Sequence, residues 1–114
     1  MQSVVVQAQF ILTTNNGTIE IAGYSGPGGN VTIPDTINGL PVTSIGIEAF
    51  NFIYTLSTVT IPGSITNVGI AAFGNCTNLL AITVDAQNSA YSSVDGIPQR
   101  ESWNLHRPQQ RHKY

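Results

Sequence analysis

The sequence predicts a β-rich solenoid of stacked coils, with about three short parallel strands and a β-hairpin ahead of them. Three observations lead there. Segments repeat at a shift of 23 residues, the repeated segments alternate apolar and polar, and an Asn-Gly pair separates two apolar runs before the first copy. Repetition at a fixed period of this size marks a fold in which each unit buries its apolar face only against the next.

The repeat is visible residue by residue. At a shift of 23, Leu56 falls on Leu79, Val59 on Ile82, Thr60 on Thr83 and Ile61 on Val84. At the same shift Thr43 falls on Thr66, Ile45 on Val68, Gly46 on Gly69, Ala49 on Ala72 and Phe50 on Phe73. An earlier copy, Val31-Thr32-Ile33-Pro34, matches Val59-Thr60-Ile61-Pro62 at a shift of 28, so five residues, Asn38 to Val42, read as a turn-rich insertion. The pieces Leu56-x-x-Val59-x-Ile61 and Leu79-x-x-Ile82-x-Val84 fit the L-x-x-L-x-L core of a leucine-rich repeat, and 23 lies within its period. Strand alternation puts Val59 and Ile61 on one face and Thr58 and Thr60 on the other. Pro62 ends the strand, having no N–H to donate.

Between strands, Ile45-Gly46-x-x-Ala49-Phe50 and Val68-Gly69-x-x-Ala72-Phe73 supply small residues followed by an inward Phe. The segment is too short for a long helix, and one turn of α or 3₁₀ structure per coil is expected, giving an α/β-type coil. Before the repeats, Phe10–Thr14 and Thr18–Ala22 flank Asn15-Asn16-Gly17, a strong hairpin signal. Such a hairpin would cap the apolar end of the first coil. Tyr24 to Gly29 then forms a loop.

Composition bounds the rest. At 114 residues there is room for one domain, and with 41% hydrophobic and 9% charged residues the chain is not disordered by composition. No apolar run reaches the length of a membrane span. Residues 1–96 hold five acids and no Lys or Arg, a formal charge of −5, whereas residues 97–114 carry +3 and both histidines. Val6-Gln7-Ala8 follows a short apolar run and resembles a small-x-small cleavage site. Residues 1–9 therefore read as a residual signal-peptide end without ordered structure, an ordinary N-terminal segment being the alternative. The remaining divisions are 10–29 (hairpin cap and loop), 30–96 (repeats) and 97–114 (a basic, disordered tail).

The unit V-x-I-P-x-x-I-(x)-T-x-I-G-x-x-A-F-x-x-C-x-x-L resembles the BspA-like subfamily of leucine-rich repeats. Thr43-Ser44-Ile45-Gly46, Ala72-Phe73 with Cys76, and Tyr91-Ser92-Ser93-Val94-Asp95-Gly96 carry the resemblance within residues 31–96. It implies a secreted or surface-displayed bacterial protein that binds host or matrix proteins, with no catalytic residues and no cofactor. Two departures stand out. Ile53 occupies the position that Cys76 holds in the next copy, so it is expected to fill that core slot. After Gly96 the pattern stops, where further repeats would follow.

The break coincides with the change in composition. Asn104 to Tyr114 can be encoded so that reading one base later yields T-F-I-A-P-N-N-V-T-N, which suits a continuing repeat. A frameshift near residue 97, truncating a longer array, is the expectation; a basic tail with its own role is the alternative. Three strands with one open end sit near the minimum for a stable array. Marginal stability, or end-to-end self-association through the last coil, follows from that.

No chemical motif stands out. Cys76 has no histidine beside it in the repeats and reads as a buried core thiol. His106 and His112 lack a Cys or carboxylate cluster, so no metal is expected. Asp85-Ala86-Gln87-Asn88 and Asp95-Gly96 lack the order of a calcium loop and read as turns. Gly26-Pro27-Gly28-Gly29 precedes neither a lysine nor a helix and is no phosphate loop. The N-x-[ST] triplets at Asn16, Asn30 and Asn75 read as coincidental. The tail has one Trp and no nucleic-acid-binding signature, so no nucleic-acid partner is expected.

The function expected is a non-catalytic protein-binding or adhesion module outside the cell or at its surface, with an extracellular protein as partner. Its contact face would be Thr32, Thr58, Thr60, Ala81 and Thr83, the outward residues of the strands. The alternative is a structural cap or spacer with no ligand of its own.

Overall fold

The structure, a computed structural model, describes residues 9–91 and the backbone of 94–95. The signal-peptide reading of Val6-Gln7-Ala8 and everything expected of the tail, His106 and His112 included, lie outside the described residues. Among the described residues the strands are β1 (Phe10–Asn15), β2 (Thr18–Tyr24), β3 (Gly29–Thr32), β4 (Thr36–Ile37), β5 (Leu40–Ile45), β6 (Leu56–Ile61), β7 (Asn67–Val68), β8 (Ala81–Val84) and β9 (Val94–Asp95).

The three parallel strands expected from the repeat are β3, β6 and β8. They pair in register, Val31 with Val59 and Val59 with Ile82. Their apolar residues stack coil on coil beneath the sheet, and Leu56, Val59, Ile61, Leu79 and Ile82 are wholly buried. A strand of β9 then closes part of the edge, running antiparallel to β8 with Ala81 opposite Asp95.

A second parallel row, β2-β5-β7, was not anticipated, so the expectation of about three parallel strands was too low. The repeat had placed Ile45 on Val68 without distinguishing a strand from a turn, because both segments are short. The five-residue insertion is also more regular than expected. Asn38 and Gly39, with φ of 55° and 81°, turn β4 back onto β5 as a tight hairpin. The N-terminal hairpin forms as predicted, β1 antiparallel to β2 about Asn16 and Gly17, both at positive φ.

The expected helical turn is absent: residues 10–91 contain no helix. Hydrogen bonding supplies the reason. The N–H groups of Ala49, Asn51 and Ile53 donate within the turn, to the carbonyls of Gly46, Glu48 and Phe50. The alternate N–H groups, of Glu48, Phe50 and Phe52, donate instead to Ile70, Ala72 and Gly74 of the next coil, at 3.1, 2.7 and 2.9 Å. A helix would spend every N–H on its own carbonyls and leave none for stacking. The alternation is enforced by left-handed residues at matching positions, Glu48 and Ala71 (both φ 58°), then Phe52 and Asn75 (63° and 57°).

Two further features lock the coils together. A buried aromatic stack runs along the molecule: Phe10 to Tyr24 (5.6 Å between centroids), Tyr24 to Phe50 (5.2 Å) and Phe50 to Phe73 (5.2 Å). Small residues at the corner allow the close approach, since a Cβ on Gly69 would lie 2.5 Å from the Ile47 nitrogen. Gly69 N–H donates to Ile45 and Gly46 N–H to Ile21, one coil back in each case.

Candidate protein-binding face

Inward residues of the β3-β6-β8 sheet belong to the core, so alternation leaves the remaining residues on its outer surface. Pairing sets these in two rows across the coils. One row is Asn30, Thr58 and Ala81; the other is Thr32, Thr60 and Thr83. The fold therefore brings all five expected residues, Thr32, Thr58, Thr60, Ala81 and Thr83, onto one sheet.

Asn30 completes the pattern and was missed. Its Oδ1 accepts a 2.8 Å hydrogen bond from Thr58 Oγ1. The shift of 28 that aligned Val31 with Val59 also aligns Asn30 with Thr58, and that was the available signal. Thr32 and Thr83 are exposed, whereas Thr58, Thr60 and Ala81 are half-buried by their neighbours. The face carries no ionisable group. Its side chains are short, and coil stacking holds neighbours within each row about 4.8 Å apart.

Other residues weighed in the sequence take structural places. Cys76 is a buried free thiol whose Sγ lies 3.0 Å from the Phe50 carbonyl. Ile53, its counterpart, is half-buried and packs against the core. Burial pushes the Cys76 thiol above its ordinary value of 9.0, against a smaller lowering by a backbone hydrogen bond. The sign of the linkage follows: well below pH 9.0 the thiol is neutral in both states and costs nothing. At higher pH the unfolded chain ionises first, so stability falls until the folded thiol also titrates. Chemical denaturation across this alkaline range should show that loss in the parent chain and a smaller one in Cys76→Ala.

Asp85 and Asn88 build a turn, with Gln87 N–H donating to Asp85 Oδ1 at 2.9 Å and Asn88 N–H to the Asp85 carbonyl at 2.9 Å. No group of three or more metal-binding side chains occurs among the described residues. Both Gly28 and Gly29 are at positive φ, and Gly28 also serves packing: its N–H donates to Tyr24 Oη at 3.1 Å, and a Cβ there would collide with Thr55. No helix of the described residues is long and apolar enough to cross a membrane.

Comparison with known proteins agrees with this architecture. A family model described as the BspA type leucine-rich repeat region (6 copies) matches residues 23–94. No curated protein matches the chain. Among solved structures, a leucine-rich repeat protein of T. pallidum is 34% identical with a TM-score of 0.64, over 66% of this chain and 36% of that one. A leucine-rich cell surface protein of Faecalibacterium prausnitzii is 31% identical with a TM-score of 0.63, over 71% of this chain and 23% of that one. A leucine-rich repeat protein of Bacteroides capillosus is 27% identical with a TM-score of 0.62, over 68% of this chain and 62% of that one. The chain thus spans about a third and a quarter of the first two structures. With its family match covering most of the chain, and with paired strands at the same repeat, this chain belongs to the BspA-type leucine-rich repeat family.

Proposed function

We propose that the chain is a non-catalytic protein-binding module of a secreted or surface-displayed bacterial repeat protein. An extracellular protein contacts the outer face of the β3-β6-β8 sheet, and the β1–β2 hairpin closes the N-terminal end of the stack. The observation that carries this reading is the two-row array of Asn30, Thr58, Ala81 and Thr32, Thr60, Thr83. Flat, uncharged rows of short side chains let a partner approach the backbone closely along several coils, and interface centres are depleted of charge in the same way. The likeness to a leucine-rich cell surface protein supports the location.

The test is binding of the chain to a panel of purified extracellular-matrix proteins, with Thr58→Arg plus Thr60→Arg as the variant. Both positions are at least partly open to solvent, so the variant should retain the parent's circular dichroism. Two large charges at the centre of the face should weaken binding by about a hundredfold. Binding that survives the double substitution removes this face from the contact. A parent that binds nothing in the panel would favour a structural cap or spacer without a ligand.

A further inference from the structure

A second surface lies apart from the strand face, where the outer turn of one coil leads into β6. Phe52 and Tyr54 are 55% and 52% exposed, with ring centroids 6.2 Å apart in an edge-to-face arrangement. Phe52 holds φ of 63°, a left-handed conformation that costs a bulky side chain energy and that Asn adopts readily. The next coil does use asparagine there: Asn75, with φ of 57°. An exposed, strained phenylalanine in place of the residue the turn favours is an outlier of the kind that marks function. Coil stacking accounts for the left-handed backbone, as it does at Glu48 and Ala71, but not for a phenylalanine there, because the ring is largely exposed.

The surroundings give the chemistry of the partner. Asn75 Nδ2 donates to Asn51 Oδ1 at 3.2 Å, and Asn78 Nδ2 donates to the Tyr54 carbonyl at 2.7 Å. These bonds fix three amide groups beside the two rings while using one polar atom of each. Asn51 Nδ2, Asn75 Oδ1 and Asn78 Oδ1 have no hydrogen-bond partner among the described residues. Residues 9–91 also contain no Lys, Arg or His, and their four ionisable acids are Glu20, Asp35, Glu48 and Asp85. An anionic ligand such as a nucleic acid or a sulfated glycan would be repelled. Aromatic faces for C–H surfaces, beside amides that pair with hydroxyl groups, match an uncharged sugar.

We infer that Phe52 and Tyr54, flanked by Asn51, Asn75 and Asn78, form a binding site for a neutral oligosaccharide. The site goes beyond the strand face proposed above and stands or falls separately from it.

Saturation-transfer difference NMR and calorimetry of the full chain with cellohexaose, maltohexaose and mannohexaose test this, with a heparin hexasaccharide as anionic control. At least one neutral probe should bind at millimolar concentration, and the control should not. Tyr54→Ala and Phe52→Asn should each weaken binding by about tenfold. Phe52→Asn should leave the melting temperature unchanged or raised, since it installs the residue preferred at that φ, so lost binding there cannot be ascribed to unfolding. Thr58→Arg plus Thr60→Arg should leave sugar binding intact. The inference is overturned if no neutral probe binds, if both aromatic variants bind as the parent does, or if the anionic control binds best.

Discussion

Phe50→Ala should destabilise the fold by about 3–5 kcal/mol, the range for deleting a fully buried aromatic ring. Phe50 is 0% exposed and stacks on two rings at once, Tyr24 in the preceding coil and Phe73 in the following one. Its removal therefore opens a cavity in the middle of the aromatic stack and unties both sides. Relaxation cannot close it easily, because backbone hydrogen bonds from Phe50 N–H and Gly69 N–H fix the coil spacing. Urea unfolding followed by circular dichroism measures the effect. Phe50→Leu, which refills most of the volume, should recover more than half of the loss.

Asn88→Ala should cost about 4 kcal/mol, although the side chain is polar and lies in a turn. Its amide is 7% exposed and makes four hydrogen bonds. Nδ2 donates to the carbonyls of Pro62 and Ile65, both at 2.9 Å, and Oδ1 accepts from Ala90 N–H at 2.8 Å and Tyr91 N–H at 2.9 Å. It thus ties the turn after β8 to the coil before it. Alanine would remove one hydrogen bond from each of four backbone groups, of which the Pro62 carbonyl keeps that from Ile65 N–H, and a buried group left unsatisfied costs about 1–3 kcal/mol, reduced wherever water enters. Asn88→Asp is the informative companion. It keeps the acceptor for Ala90 and Tyr91 but turns repulsive oxygens on the two carbonyls, so it should be destabilised at neutral pH. A variant as stable as the parent by the same denaturation assay would mean that the amide is not a tie between coils.

The strand face was legible because its determinants are periodic. Val59, Ile61, Ile82 and Val84 recur at the shift of 23 and alternate with threonines, so both the core and the outer rows follow from the repeat. Asn30 escaped notice although it pairs with Thr58 at the same shift of 28, because the alternation of apolar residues only begins at Val31. The outer turn was misread for a different reason. Whether an N–H bonds within its own coil or to the next is decided by stacking, which local sequence does not record. Glu48, Phe52 and Ala71 adopt left-handed φ without the Gly or Asn that would announce it, and only Asn75 carries that signal. The role of Asn88 was equally hidden: the sequence showed a turn residue, and the partners that make it a tie lie 23 and 26 positions away.

Stacked coils, tied turn to turn as well as strand to strand, are the centre of this account, and amide hydrogen exchange by NMR tests them most directly. The N–H groups of Glu48, Phe50 and Phe52 lie in a turn, where exchange is ordinarily fast, yet they donate to Ile70, Ala72 and Gly74 of the neighbouring coil. They should be protected to the same degree as Val59 and Thr60 in β6, exchanging only when the stack opens. Fast exchange at these three amides, with the strand amides still protected, would contradict the stacking of the outer turns.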